Sequence, residues 1–275
     1  MHIGIMCRTF ARPTLQETLD AVAQHGIRAV QFDLSCAGLP DMPERIDPTS
    51  CDLIRQEMSA RGIAIACLSG TFNMIDPNLR ARQDGLRRLD QLASACEQLG
   101  ASVITLCTGT RDPVSMWRRH PDNDSPEAWA DLLASMGQAL QSAEDYGVTL
   151  AFEPEASNVV DSARKGRRLL DEMRSPYLKV VMDGANIFHA GELPRMREIL
   201  DEAFDLLGPD VVVAHAKDLD RDGEAGHIAA GKGLLDYEHY LSLLASLGAD
   251  LPLILHGLAE DEVDGCTAFL AARLR

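Results

Sequence analysis

Four apolar runs in this chain end on a residue that can hold a metal ion or move a proton. Val148-Thr-Leu-Ala-Phe-Glu153 ends on a carboxylate, and Pro154 then blocks a central strand from continuing. Leu178-Lys-Val-Val-Met-Asp183 ends on a second carboxylate, Val211-Val-Val-Ala-His215 on an imidazole, and Leu253-Ile-Leu-His256 on another. Carboxylate oxygens and imidazole nitrogens together suit one divalent ion: Mn, Zn, Co or Fe(II), with Mg less natural beside imidazole. Each residue also has a plainer alternative. Glu153 could form a rim ion pair, although an acid after Leu-Ala-Phe is expensive to bury without a partner. Asp183 could cap a turn before Gly184, and His215 could be a satisfied core histidine. His256 could be a fourth ligand, a lone general base or an inert replacement.

A second set of residues could grip a substrate. Lys217, just after His215, reads either as a rim ion pair with Asp218 or as a contact for an oxyanion or phosphate. Asn186 is a substrate contact or a turn amide. Arg111 follows Thr108-Gly-Thr and can offer a rigid donor fork to a carboxylate or phosphate. Trp117 and His120 lie further along the same long loop, where they could stack on a ligand face or close as a lid, and loops of that length in a compact domain are usually functional. Asn73 is a weaker contact of the same sort. Glu155, past the proline, is a solvated loop acid or an additional contact. His227 reads as surface and Trp129 as helix packing.

The elements that must position these residues follow one rhythm, a short apolar run and then an amphipathic segment. Strands are expected at Ile3–Met6, Ala29–Asp33, Ile63–Leu68, Val103–Cys107, Val148–Glu155, Leu178–Asp183, Val211–Ala216 and Leu253–His256. Helices are expected near 14–24, 50–60, 78–99, 126–147, 162–173, 194–207, 236–247 and 261–274, several opened by Thr, Asn, Ser or Pro and closed by Gly. In the third of these, Leu86, Leu89, Leu92, Ala93, Cys96 and Leu99 recur at helical spacing. Such alternation implies a parallel sheet covered by helices. Eight units without a linker over residues 1–275 fit a single α/β domain, a (β/α)8 TIM barrel whose site lies where the strands end. A doubly wound open sheet is the alternative, but no GxGxxG or P-loop follows any strand.

Composition narrows the classes further. Hydrophobic residues make up 46% and charged residues 25%, the balance of an ordinary globular protein. The net charge of −16 works against non-specific binding to nucleic acid or an anionic membrane, so neither is expected as a partner. Seven scattered cysteines form no CxxC pair, which favours reduced thiols and a cytoplasmic setting. The opening Met1-His-Ile-Gly-Ile is strand-like rather than a signal peptide, and no apolar run approaches the ~18 residues that span a bilayer. Homo-oligomerisation is open: closed dimers are the commonest soluble assembly, and no stretch specifies an interface.

In Phe152-Glu153-Pro154, Asp183-Gly-Ala-Asn186 and His215-Ala-Lys217-Asp218, with Gly231-Lys-Gly233 before Asp236-Tyr237, the chain resembles the xylose-isomerase-like barrels. This sugar phosphate isomerase/epimerase superfamily also contains the type IV apurinic endonucleases, and the resemblance covers essentially the whole chain. It implies that the strand-five Glu, strand-six Asp and strand-seven His hold one divalent metal with a strand-eight Glu. The metal polarises a sugar hydroxyl or carbonyl, and the two Glu act as acid and base on opposite sides of a carbon. Two positions depart from that pattern. Asn186 stands where a His is frequent, and an amide cannot transfer a proton at neutral pH. His256 stands where the strand-eight Glu belongs, which breaks the two-carboxylate symmetry.

The resulting expectation is an isomerase, epimerase or related dehydratase acting on a sugar, sugar phosphate or other hydroxy-carbonyl compound through a metal-stabilised enediolate. Glu153, Asp183, His215 and His256 would hold the metal, with Glu153 or His256 moving the proton. Two alternatives remain. The missing strand-eight Glu fits a non-catalytic sugar-binding barrel or a subunit of a larger enzyme. A metal-dependent phosphodiesterase of the endonuclease kind would need further His and Glu, and strands two to four offer no matching set.

Overall fold

The computed structural model describes residues 1–248 and 250–274. Its strands are β1 (His2–Met6), β2 (Ala29–Phe32), β3 (Ala64–Ser69), β4 (Val103–Cys107), β5 (Thr149–Glu153), β6 (Leu178–Asp183), β7 (Val211–Asp218), β8 (Ile228–Ala229) and β9 (Pro252–Leu255). All except β8 pair in parallel with their neighbours, and the β1–β9 pairing closes the ring. The result is a closed eight-stranded TIM barrel. Around it lie α1 (Leu15–Gln24), α2 (Pro48–Ala60), α3 (Leu79–Leu99), α4 (Pro126–Tyr146), α5 (Ala163–Met173), α6 (Met196–Leu207), α7 (Tyr237–Ser246) and α8 (Val263–Ala271).

The helices begin where short polar side chains satisfy free backbone N–H groups. Thr14, Asp47, Asn78, Ser125, Ser162 and Asp236 each accept such a bond at the start of α1, α2, α3, α4, α5 and α7. Boundaries shift slightly from the sequence expectation. Strand nine stops at Leu255, which leaves His256 as the first residue beyond it, and β7 runs two residues further than expected. The extension has a cause: Lys217 and Asp218 pair antiparallel with Ala229 and Ile228 of β8, an addition the apolar pattern does not announce.

Two apolar layers result. The larger lies between barrel and helices, and includes Phe152, Leu150, Leu89, Leu132 and Tyr240. The smaller fills the barrel interior with Met6, Cys67, Ala151, Val181, Val213 and Ile254. Side chains alternate along a strand, so the residue two places further on points the same way. That period lifts Ser69 above Cys67, Glu153 above Ala151, Asp183 above Val181, His215 and Lys217 above Val213, and His256 above Ile254. The apolar layer is therefore the floor on which the polar residues stand.

The β7 end is tied by Asp218, a fully buried acid whose carboxylate accepts from the backbone N–H groups of Leu219, Gly231, Gly233 and Leu235. Glycine is required at 233, because a Cβ there would stand 2.4 Å from both Asp218 Oδ1 and the Leu219 carbonyl. Tyr237 adds a further tie by donating its hydroxyl to the Lys217 carbonyl at 2.9 Å. No described helix is long and apolar enough to cross a membrane.

Candidate active site

Three of the strand-end residues meet at the barrel mouth. Asp183, His215 and His256 each present a donor atom within 4.8 Å of the other two. His215 Nδ1 lies 3.5 Å from Asp183 Oδ2 and 3.5 Å from Glu153 Oε1. Glu153 thus reaches the group through His215, while Asn186 donates to its Oε1 at 2.5 Å. Lys217 Nζ stands 3.2 Å from Asp183 Oδ2. The His215 and His256 rings are 5.3 Å apart and near perpendicular.

Electrostatics follows from burying so many charges together. Burial alone would raise the Asp183 carboxyl, but Lys217 and His215 outweigh it and hold the group well below the usual carboxylate range. Burial alone would lower His215, yet the carboxylates of Glu153 and Asp183 push it up to about 9. Lys217 is raised for the same reason, against its own desolvation. His256 behaves oppositely: burial first, then the cations Lys217 and His215, drive it well below the ordinary histidine range. Glu155 is pushed up to about 7 by burial and by Glu153 beside it.

Above these residues opens a cavity of about 370 Å³, within the range of small-molecule sites. Its walls include Glu153, Glu155, His215, Lys217, His256 and Trp117. Trp117 remains about half exposed on the β4 loop. Glu155 differs from a solvated loop acid: the chain turns back after Pro154, with the Glu155 N–H donating to the Val160 carbonyl, and the side chain is buried against Asn158.

Four other candidates lie outside this wall. Arg111 spends its fork on the Ile75 carbonyl and Asp131, pinning the β4 loop to α4. Asn73 exchanges two bonds with Thr110, donating to its carbonyl and accepting from its N–H. His120 caps a short turn by accepting from the Asp122 N–H. Asn186 is fully buried between Glu153 and the N–H of Gly226, so its amide serves the protein. Arg8, Gln31, Ser69 and Thr105 also belong to the wall, although the strand-end pattern does not single them out. A glutamine inside the apolar run Ala29-Val-Gln-Phe was the available signal.

The donor set fits a divalent cation. Among the described residues, six buried side-chain atoms lack a hydrogen-bond partner, and three of them are Asp183 Oδ2, His215 Nδ1 and His256 Nδ1. Leaving the two imidazole nitrogens unsatisfied costs about 1–3 kcal/mol each, and Asp183 Oδ2 has the Lys217 ammonium at 3.2 Å as a charge partner without an aligned hydrogen bond. Their convergence is explained if a cation serves all three. One oxygen and two imidazole nitrogens are borderline ligands of the kind Zn, Mn, Co and Fe accept.

Solved structures of similar shape include several sugar epimerases. A D-tagatose 3-epimerase-like protein superposes with a TM-score of 0.75 at 15% identity, over 100% of this chain and 97% of its own. The 3-keto-D-glucoside 4-epimerase YcjR from E. coli gives 0.74 at 16%, over 99% of each chain. The IolI protein with a bound zinc atom gives 0.73 at 14%, over 100% of this chain and 98% of its own. At such identities the likeness shows the fold. No curated protein sequence matches. The family described as the xylose isomerase-like TIM barrel matches residues 19–264, and the chain belongs to that family.

Proposed function

We propose that the chain is a divalent-metal-dependent isomerase or epimerase that moves a proton on a carbon of a sugar, sugar phosphate or related hydroxy-carbonyl compound. The observation that carries this is the convergence of ligand atoms of Asp183, His215 and His256, both imidazoles with an unpartnered Nδ1, at the base of a cavity of about 370 Å³. The epimerase names of similarly folded structures support the substrate class.

Asp183, His215 and His256 would hold the ion, with Glu153 alongside. When bound, the ion supplies a Lewis acid for a substrate oxygen. Glu153 takes the proton from carbon: its carboxylate lines the cavity, and Asn186 fixes its orientation. The second carboxyl in the cavity is Glu155, which stands in for the acid missing after β9. Lys217 offers an ammonium to a substrate oxygen, and Trp117 covers the sugar face.

Incubation with a panel of ketoses and inosose-type ketones in D2O tests the reaction, because proton transfer leaves deuterium on carbon. The purified protein is expected to hold about one divalent ion, and Asp183→Ala and His215→Ala to lose it. Full metal retention in both variants overturns the site. One observation favours a second reading, a barrel that binds such compounds without turning them over: His256, directly after β9, stands where the family pattern has a Glu. A ligand that binds but never acquires deuterium decides for that reading.

A further inference from the structure

We propose that Gln31 is a positioning residue that fixes which nitrogen of His215 faces the metal centre, resting on the metal-centre reading above. Gln31 lies on β2, across the barrel from β7, and is buried. Its Nε2 donates to Ser69 Oγ on β3 and to Thr105 Oγ1 on β4, both at 3.1 Å. Its Oε1 meets His215 Nε2 at 2.9 Å and also accepts from the Cys67 thiol at 3.4 Å.

The direction of every bond in this chain can be assigned. The Thr105 hydroxyl donates its single proton to the Leu68 carbonyl, so toward Gln31 it can only accept. That forces the amide NH2 of Gln31 toward Thr105 and its carbonyl oxygen toward His215. A carbonyl oxygen accepts and never donates, so His215 Nε2 carries a hydrogen. The lone pair of the neutral ring is then on Nδ1, the atom that lacks a partner and lies 3.5 Å from both Asp183 Oδ2 and Glu153 Oε1. A ligating histidine ordinarily has its other nitrogen held in this way by a carboxylate, carbonyl or water. Here the partner is an amide, itself oriented by two hydroxyls.

Although Gln31 lines the cavity, it has nothing left to offer a substrate. An amide has two donor hydrogens and two acceptor lone pairs, and Ser69, Thr105, His215 and Cys67 use all four. It therefore acts through His215.

Imidazole 15N–1H correlation spectra of the purified full-length protein test this directly. Metal-free and zinc-loaded wild type should both show a protected His215 Nε2–H, with Nδ1 changing on zinc addition. Zinc titration of Gln31→Leu should give a dissociation constant weaker by about 10–100-fold, with Gln31→Glu, which keeps an oxygen facing His215, recovering most of the loss. An Nδ1–H with a bare Nε2, or coordination through Nε2, overturns the assignment, as does unchanged zinc affinity in folded Gln31→Leu. The wild-type spectra do not depend on any variant folding. If wild type binds no divalent ion, the proposed function fails, while the metal-free spectrum still decides the orientation of His215.

Discussion

Lys217 and Asp183 form a buried ion pair, 3.2 Å from ammonium to carboxylate, both side chains almost wholly removed from water. The pair sits where a divalent ion would also be attracted, so lysine and a bound metal would neutralise the same carboxylate. Replacing Lys217 by Met takes from Asp183 the stronger of its two cationic partners and leaves only His215, and breaking a buried pair costs up to about 3–5 kcal/mol. The K217M protein should therefore melt at lower temperature than wild type in chelator. Saturating Mn or Zn should restore more stability to the variant than to wild type, because ligand binding to the folded state stabilises it. Thermal scans with and without chelator measure both. Equal melting in chelator would show that the pair is not coupled.

Asn186→Ala removes the donor to Glu153 and the acceptor for the Gly226 N–H. A loss of about 1–3 kcal/mol in stability is expected from the orphaned N–H, together with a fall in turnover larger than any change in KM, since the carboxylate loses its orientation. Denaturant melts and steady-state kinetics separate the two effects. An unchanged turnover number would exclude a role for Asn186 in holding the base.

Glu155 makes stability fall as pH rises in the metal-free chain. Its carboxyl moves from an ordinary 4.5 to about 7 on folding, through burial and then the nearby charge of Glu153. Between those values the folded chain keeps a proton that the unfolded chain has released, and that inequality lowers stability with increasing pH. Glu155→Gln lacks this penalty, so in chelator the variant should match wild type near pH 4.5 and exceed it above pH 7 by up to about 3 kcal/mol. Parallel pH series of chemical denaturation provide the check, and a constant difference across the series would refute it.

Metal affinity should rise with pH up to about 9. Burial disfavours the His215 imidazolium, but Glu153 and Asp183 more than offset it and push the ring up to about 9. A cation at Nδ1 must displace a proton below that value, so the apparent dissociation constant should fall about tenfold for each pH unit from neutrality upward and then level off. Competition titration with a chromophoric chelator measures the slope. A flat profile would mean that His215 contributes no ligand.

The barrel was legible because each barrel strand is a compact apolar run and six of the eight described helices open on a polar cap. The strand-end residues Glu153, Asp183, His215 and His256 were legible as positions for the same reason: a charged or ring-nitrogen side chain after such a run lands at the mouth. Relationships between distant residues were not. Arg111 reads as a free donor fork until α4 brings Asp131 to it, and Asn73 reads as a substrate contact until the β4 loop brings Thr110. Glu155 follows a proline, which suggests an exposed loop, but the turn closed by Val160 folds it inward. The Gln31 amide joins β2 to β7 across the barrel, a closeness that exists only once the ring has closed.

The Asp218 clasp separates two kinds of change in this protein. Four backbone N–H groups and the Tyr237 hydroxyl fasten the chain on either side of the β7 loop, while Ala225, inside that loop, forms part of the cavity's outer wall. Rewriting the stretch from Asp220 to Glu224 gives up the bonds of Asp222 and Gly223 to Leu193 and Phe188, and is expected to alter the outer wall at Ala225 while the clasp keeps Lys217 and His215 in register below. Under the proposed function, loop exchange is expected to change ligand preference without disturbing the residues at the base.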